Sequence, residues 1–200
     1  MNARFVLVAV VMLVSGCVNF GEKGSTAAVV NYVLSDTQPA GQSAPIQPDA
    51  PSLLVMDTAA AGLYDSDQLV FSRSTGTRGQ YQYARWTELP GKRFADLMRA
   101  RLDRQSGWQV SAAEAYVHGD MLLVTQLIDL YHDASSDPGQ VRLELRAELV
   151  DLKRRVILGR RSFEHTVPLT RFDANGAAQA SNKAVSLTLD ELTAWLATFR

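Results

Sequence analysis

The segment VRLELRAEL, residues 141–149, alternates apolar and charged side chains without a break. Because successive side chains of a β-strand point to opposite faces, this period of two predicts a strand with one face on a core and the other in water. Residues 121–132 and 156–167 are also rich in β-formers, and short turn-like segments join them to it. Three sequential strands connected in this way predict an antiparallel meander.

The first strand of this meander has an expected orientation of its own. Alternation within residues 121–132 would place one set of apolar side chains together on one face of the strand. That set consists of Leu122, Val124, Ile128 and Leu130.

Two segments outside the meander have helical periodicity. Pro90–Gln105 carries apolar residues at helical spacing, and the stem of Arg101 can cover apolar surface beside them. Residues 176–199 carry a second apolar stripe on what we expect to be a long C-terminal helix. The residues of that stripe are Val185, Leu189, Leu192, Leu196 and Phe199.

The rest of the chain supplies shorter strands. Residues 29–34 and 52–56 are predicted strands, and 68–72 pairs with 80–83 as a hairpin around a glycine-containing turn. The combined pattern predicts an α+β fold, with an antiparallel or mixed sheet and two main helices packed on one face.

The leader of the chain carries a sorting signal. Arg4 precedes an apolar run at residues 5–14, and small residues follow just before Cys17. This order predicts a secretory signal peptide. The run is about half the length that a membrane-spanning helix needs, which counts against a transmembrane anchor. The ending VSGC at 14–17 resembles the lipobox of bacterial lipoproteins, which implies cleavage before Cys17 and lipidation of its sulfur. The alternative is an ordinary buried cysteine.

Composition and charge narrow the class of protein. The chain has 46% apolar and 20% charged residues, as an ordinary globular protein does. Its 20 basic and 21 acidic side chains give a net charge of −1, and loss of Arg4 with the leader leaves 19 against 21, or −2. This balance argues against a nucleic-acid partner, which would need a net basic face. Cys17 is the only cysteine, so no internal disulfide can form.

No catalytic, metal or cofactor site is predicted. His118, His132 and His165 are not spaced as in a known zinc motif, and we expect them on the surface or in loops. The sequence contains neither a Gly-x-Ser-x-Gly elbow nor a phosphate-binding loop. Asp129 and Asp133 flank His132 and could form an acid–base group with it, although polar residues at a strand end and its turn are the more ordinary interpretation.

One cluster of residues has a candidate binding role: Tyr81, Tyr83, Arg85 and Trp86. Period two places Tyr81 and Tyr83 on one side of a strand. Three interpretations stay open. In the first, the rings line the core or the sheet edge. In the second, they form an exposed surface for a partner protein, since Tyr, Trp and Arg dominate interface hot spots. In the third, they contact lipid tails.

The order of segments along the chain resembles the ABC-type transport auxiliary lipoprotein family. After the lipobox cysteine come a tyrosine-containing strand, a hairpin, the helix that begins at Pro90, and the alternating strand of the meander. The order and spacing of these segments extend over nearly the whole mature chain. The matching segments are NYVL at 31–34, QLVFSR at 68–73, YQYARW at 81–86, VRLELRAELVD at 141–151 and RRSFE at 160–164.

The resemblance implies a non-catalytic envelope component that accompanies transporters built from an ATPase, a permease and a mammalian-cell-entry (MCE) domain protein. Such systems are associated with moving phospholipids or other apolar molecules between two membranes. Lipoproteins without Asp directly after the cysteine are sorted to the outer membrane, and Val18 occupies that position here. The implied location is the periplasmic face of the outer membrane, with acyl chains on Cys17 as the anchor and an MCE-domain protein as the partner.

The expected organisation has three parts. A lipoprotein signal peptide occupies residues 1–16, the lipidated cysteine and a flexible tether 17–28, and the auxiliary lipoprotein domain 29–200. No enzyme activity and no cofactor are expected. The alternative function is a scaffold or activator of cell-wall or outer-membrane assembly, against which the short tether counts. The sequence leaves the oligomeric state open, with assembly of several copies as one alternative.

Overall fold

The computed structural model describes residues 28–38, 49–60, 62–105, 107–114 and 117–199. The expected signal peptide, Cys17 and the tether up to residue 27 lie outside the described residues and stay predictions. The strands of the described chain form one nine-stranded mixed sheet. The strands are β1 Val30–Tyr32, β2 Ser52–Val55, β3 Ala59–Ala60, β4 Gln68–Ser72, β5 Gly79–Trp86, β6 Gln109–Ala112, β7 Met121–Asp133, β8 Gln140–Asp151 and β9 Val156–Pro168. The helices are α1 Pro90–Gln105 and α2 Ala174–Leu196, with 3-10 helices at Gly62–Tyr64 and Ala197–Phe199.

The predicted meander is confirmed. β7, β8 and β9 are consecutive antiparallel strands, and their register places Leu127 beside Leu145 and Leu145 beside Phe163. All three side chains are buried in the core. From Val141 to Leu149 of β8 the apolar residues are buried, and the charged residues between them are exposed or half-buried. The period of two therefore identified the core face of β8 correctly.

The apolar residues expected on one face of β7 do not share a face. Leu130 is buried, whereas Leu122, Val124 and Ile128 are half-buried, so this prediction was wrong. A register shift against β8 between Leu127 and Asp129 interrupts the alternation, so residues of opposite parity face the core on its two sides. The buried side chains of β7 are Leu123, Thr125, Leu127, Leu130 and His132.

The other edge of β7 makes the sheet mixed. β2, β3 and β4 pair in parallel with the beginning, middle and end of β7, respectively. β6 extends the sheet beyond β2, and β5 and then β1 extend it beyond β4. The predicted hairpin of β4 and β5 is confirmed. Because β4 pairs with the last residues of β7, the β4–β5 turn and the β7–β8 turn lie at the same end of the sheet.

Both α-helices pack against the core face of the sheet, as predicted. Their buried apolar side chains belong to the same core cluster as those of β8. The N-terminus of α2 precedes the expected one because Asp173 caps it, accepting a hydrogen bond from the backbone N–H of Gly176 at 2.7 Å. The buried core residues of the helices include Phe94, Met98 and Leu102 of α1 and Val185, Leu189, Leu192 and Leu196 of α2.

Residues 33–38, which follow β1, are fastened to both helices by a buried ion pair. Arg101 of α1 has 0% exposed surface, and its guanidinium donates to Asp36 from Nε at 2.8 Å and from Nη2 at 2.5 Å. Arg101 also donates to Asp190 of α2, and Ser186 of α2 donates to Asp36 at 2.9 Å. The sequence predicted a stem lying over apolar surface, whereas the whole side chain, including its charge, is buried.

Candidate functional site

The aromatic cluster predicted from the sequence is divided between the core and the surface. Trp86 is 4% exposed and belongs to the core. Tyr83 is 44% exposed, and Arg85 forms a surface ion pair with Asp67 at 3.1 Å. Tyr81 is half-buried. A partner contact through these residues stays a prediction. Tyr81, Tyr83 and Arg85 are the residues of this cluster whose side chains are at least partly exposed to solvent.

An irregularity in β5 explains why the two tyrosines differ. Gln68 and Val70 of β4 are two residues apart, yet their partners on β5, Arg85 and Gln80, are five apart. Extra residues on one strand interrupt the alternation of its side chains. The side chains of β5 therefore do not alternate between the two faces along the whole strand. As a result, Tyr81 packs against the core, whereas Tyr83 is exposed.

Tyr81 forms one wall of a shallow cavity of about 320 Å³, which we call the aromatic pocket. Three parts of the chain meet there: the β4–β5 hairpin, the segment after β7 and the loop before α2. They meet because all three reach the same end of the sheet. The lining residues include Phe71, Arg73, Tyr81, Gln82, Ala134 and Phe172.

Ring contacts organise the aromatic pocket. Phe71 and Tyr81 meet edge to face with ring centroids 5.2 Å apart. Phe172 makes a second edge contact, with its centroid 5.2 Å from that of the His132 ring. Phe172 is nevertheless 47% exposed, so it presents apolar surface to the outside. Aromatic pairs in these geometries add to the stabilisation from burial, which favours a pocket with ordered walls.

The buried His132 supports Tyr81 from beneath. The Tyr81 hydroxyl lies 2.7 Å from Nδ1 of His132, and Nε2 lies 3.3 Å from the carbonyl oxygen of Pro138. This arrangement fits a neutral imidazole that accepts from Tyr81 and donates to Pro138. Burial lowers the pKa of His132, and burial raises the pKa of Tyr81 to about 12. Both groups are neutral near pH 7, which suits binding of an apolar group better than proton transfer.

A cation stands at the rim of the aromatic pocket. The guanidinium carbon of Arg73 lies 5.2 Å from the centroid of the Phe71 ring, and Arg73 has no ion pair among the described residues. Arg171, in the loop before α2, is instead paired with Asp173. The aromatic pocket thus combines apolar walls with one unpaired positive charge. That combination fits an apolar group that carries, or lies beside, an anionic group.

The three histidines lie in different environments. His118 is exposed, His165 is half-buried, and His132 is buried on the core face of β7. The expectation of a surface or loop position was wrong for His132, because the register shift in β7 turns it toward the core. Across the part of the chain that the structure describes, no group of three or more His, Cys, Asp and Glu side chains could hold a metal ion.

Asp129 and Asp133 do not form an acid–base group with His132. Asp129 accepts a hydrogen bond from the Tyr64 hydroxyl at 2.6 Å. Asp133 accepts one from Nε of Arg142 at 3.1 Å, which also lowers the pKa of this carboxyl, after the larger effect of Ser135. Each carboxylate has its own partners, as expected for polar residues at a strand end and its turn.

A larger depression of about 480 Å³ lies on β7–β9. The charged side chains of its walls already form ion pairs with their neighbours, across strands or along one strand. Arg160 donates to Glu148 at 2.5 Å, and Arg146 pairs with Glu144 at 3.1 Å. Since these charges compensate each other locally, the depression offers little to attract a ligand of either sign.

Phe71 and Phe172 were not predicted as site residues. They lie on distant parts of the chain, and only the parallel pairing of β4 with the end of β7 brings them together. One signal was available in the sequence: Phe172 is an apolar residue between Arg171 and Asp173, directly before the N-terminus of a helix. An aromatic residue in such a polar loop is a candidate for surface contact.

Several solved structures are similar to this chain. A crystallised protein of Xanthomonas campestris, from the DUF330 family, superposes with a TM-score of 0.70 at 21% identity, covering 84% of this chain and 94% of that one. A crystallised uncharacterized protein has a TM-score of 0.65 at 11% identity, covering 83% and 99%. The PelC dodecamer of Paraburkholderia phytofirmans is more distant, with a TM-score of 0.47 at 13% identity, covering 76% and 95%.

Sequence comparison identifies the family. Among curated proteins, none matches this chain. None of the helices that the structure describes is long and apolar enough to cross a membrane. The family model for the ABC-type transport auxiliary lipoprotein component matches residues 32–193, which include all of α1, all but the last turn of α2, all but the first residues of the sheet, and the aromatic pocket. The chain belongs to the family of ABC-type transport auxiliary lipoprotein components.

Proposed function

We propose that this protein is a periplasmic lipoprotein anchored in the outer membrane, serving as a non-catalytic auxiliary subunit of an ABC transporter with an MCE-domain protein. Its transport system would move lipids or other apolar molecules between the envelope membranes. The observation that carries the proposal is the family match, which extends over residues 32–193. Association with an ABC transporter follows from the family, whereas the MCE partner, the cargo and the membrane are our proposal.

The anchor in this proposal is Cys17. The sequence VSGC at 14–17 resembles a lipobox, which supports cleavage before Cys17, and Val18 behind it favours the outer membrane. The mature chain would then consist of the lipidated cysteine and tether at 17–28 and the domain at 29–200. Two or more acyl chains hold a protein stably on a bilayer, so the domain needs no spanning helix.

The role of the folded domain is docking rather than chemistry. Tyr81 and His132 are hydrogen-bonded to each other and neutral near pH 7. The two predicted contact residues with the most surface, Tyr83 and Arg85, lie on β5 near the edge of the sheet. We propose that they contact the MCE-domain protein, since Tyr and Arg are common interface anchors.

Crosslinking and co-purification from native membranes test the proposal. The full-length protein should recover an MCE-domain protein together with the ATPase and permease of one transporter. Tyr83→Ser should lower that recovery, whereas Ile157→Ser, which alters a residue of equal 44% exposure on β9, should not. Recovery of cell-wall or outer-membrane assembly proteins in place of a transporter would favour the scaffold alternative. The mass of the purified complex also reports how many copies of this chain it contains.

A further inference from the structure

We propose that the aromatic pocket lies against the phospholipid bilayer that holds the anchor, with Phe172 inserted at the interface and Arg73 beside the lipid phosphates. The domain would then be oriented with this end of the sheet facing the bilayer. The inference rests on the proposed lipidation of Cys17. It adds an orientation and a second membrane contact, made by the folded domain itself.

The place where the described chain begins supports this orientation. β1 runs parallel to β5, and Val30 pairs with Ala84. Residues 28 and 29, where the described chain begins, therefore lie toward the part of β5 that contains Gln82, which lines the aromatic pocket. The chain that leads from the anchor arrives at the same end of the sheet as the pocket.

The length of the tether separates this end from the opposite one. Residues 18–28 can span at most about 35–40 Å when fully extended. β7 runs along the sheet for 13 residues, so the β8–β9 turn at the far end lies about 40 Å from the aromatic pocket. The end with the aromatic pocket can contact the bilayer without full extension of the tether. The far end could reach it only if the tether were stretched to its limit.

The chemistry of the exposed side chains fits a bilayer interface. Phe172 is 47% exposed, and the rings of Phe71 and Tyr81 form the adjoining half-buried wall. Val29, just before β1, is 46% exposed and adds apolar surface near the point where the tether arrives. Aromatic rings and long basic side chains are the residues that settle at the boundary of headgroups and acyl chains. Arg73, without an ion pair among the described residues, provides the positive charge that an anionic lipid surface attracts.

A small contact is sufficient because the anchor keeps it close to the bilayer. A short flexible linker gives an attached surface an effective concentration in the millimolar range. Contact through the Phe172 ring and the Arg73 guanidinium then keeps the domain on the bilayer for much of the time. Without the anchor, the same surface would bind the bilayer only weakly. The β8–β9 turn, with Lys153 at its tip, would point away from the bilayer.

The orientation can be measured in the full-length lipidated protein. Lipidation consumes the thiol of Cys17, so one engineered cysteine provides a unique site for an environment-sensitive fluorophore. Thr170→Cys places the label two residues from Phe172, and Lys153→Cys places it at the far end of the sheet. The two proteins are reconstituted into phosphatidylethanolamine–phosphatidylglycerol vesicles that contain lipids with quenching groups on their acyl chains.

We expect strong quenching of the label at position 170 and little quenching at position 153. Phe172→Ser should lower the ratio of docked to undocked domains roughly ten-fold, the loss expected for removing a buried aromatic ring. Ile157→Ser, which removes a similarly exposed apolar side chain at the far end, should leave the quenching unchanged.

Vesicle flotation separates the two ideas. A protein that does not float with the vesicles contradicts the lipid anchor, and the orientation with it. A protein that floats, but whose two labels are quenched equally or whose quenching is unaffected by Phe172→Ser, retains its anchor and overturns the orientation alone. In that case the aromatic pocket would be free for a protein partner.

Discussion

Arg101 of α1 and Asp36 of the 33–38 segment form a buried ion pair joined by two hydrogen bonds, of 2.8 and 2.5 Å. The side chain of Arg101 is fully buried and that of Asp36 is 7% exposed. A buried pair contributes little net stability compared with apolar residues of the same size, but removing one partner leaves an uncompensated charge in the interior. The pair therefore makes the first strand and both helices depend on each other.

Asp36→Asn should destabilise the protein by about 3 kcal/mol, because Arg101 would keep its charge and lose its most buried partner. Urea unfolding at neutral pH measures this change. Asp57→Asn is the matched control, since Asp57 pairs with Arg99 but its side chain is 67% exposed. We expect the control to cost less than about 1 kcal/mol. Equal costs for both variants would show that burial of the Arg101 pair carries no extra penalty.

The same pair should make the protein sensitive to acid. Burial alone would raise the pKa of Asp36, but hydrogen bonds from Arg101, the backbone N–H of Gln38 and Ser186 hold this pKa below its ordinary value. A depressed pKa stabilises the fold above the unfolded value of about 3.9, and this contribution is lost as the pH falls through the lower folded value. Unfolding free energies measured on both sides of that range should fall less steeply for Asp36→Asn than for the natural chain.

The parts of the fold that sequence predicted are those fixed by local periodicity. β8 alternates without interruption, and α1 begins and ends where predicted. β7 is also rich in apolar residues, yet the prediction that four of them share one face was wrong, because nothing local to Leu127 and Asp129 marks the register shift. A shift of this kind depends on the partner strand, and periodicity contains no information about the partner.

The aromatic pocket was predicted only in part for a related reason. Tyr81 was singled out by its aromatic neighbours, but Phe172 joins it through the parallel pairing of β4 with the end of β7. Trp86 belonged to the same sequence cluster and lies in the core, because it shares the buried face of β5 with Ala84, opposite to Tyr83. Arg101 was predicted only to cover apolar surface with its stem, because its partner Asp36 is distant in sequence and no local pattern joins the two. Each of these differences comes from contacts between residues that are far apart along the chain.

His132 should produce a second pH dependence in a different range. Burial lowers its pKa below the unfolded value of about 6.5, so protonation favours the unfolded chain. Stability from this group is complete above about pH 6.5 and declines as the pH falls toward the lower folded pKa. His132→Gln should remove this slope, whatever it does to stability at neutral pH. Denaturant unfolding at a series of pH values measures it, and an unchanged slope would mean that His132 is not held neutral.

Leu145 tests the core face of β8. Its side chain is 0% exposed and lies between Leu127 of β7 and Phe163 of β9. Leu145→Ala should cost about 2–5 kcal/mol, the range for deleting a fully buried leucine side chain. Leu145→Asp should be more severe, because it places an unpaired charge in the core. Glu144→Ala on the opposite face is the control, with an expected change within about 0.5 kcal/mol. Thermal or urea unfolding that ranks the control with the core variants would refute the face assignment.

Gly139 and Gly76 allow backbone strain to be separated from crowding beside the aromatic pocket. Both have a positive φ, of 75° and 77°, so alanine at either position should cost about 1–2 kcal/mol through strain alone. A Cβ at Gly76 would meet nothing within 4 Å, whereas at Gly139 it would collide with the carbonyl oxygen of Asp133 and lie 2.6 Å from Nε2 of His132. Gly139→Ala should therefore be clearly the more destabilising variant in urea unfolding. It should also displace His132 and open the Tyr81 hydroxyl to water. Because burial raises the pKa of Tyr81 to about 12, that pKa should then fall toward its ordinary value, a change that ultraviolet titration of the tyrosines can detect. Equal destabilisation by the two variants, with no change in the titration, would show that the turn at Gly139 has room to relax and that the support of Tyr81 does not depend on it.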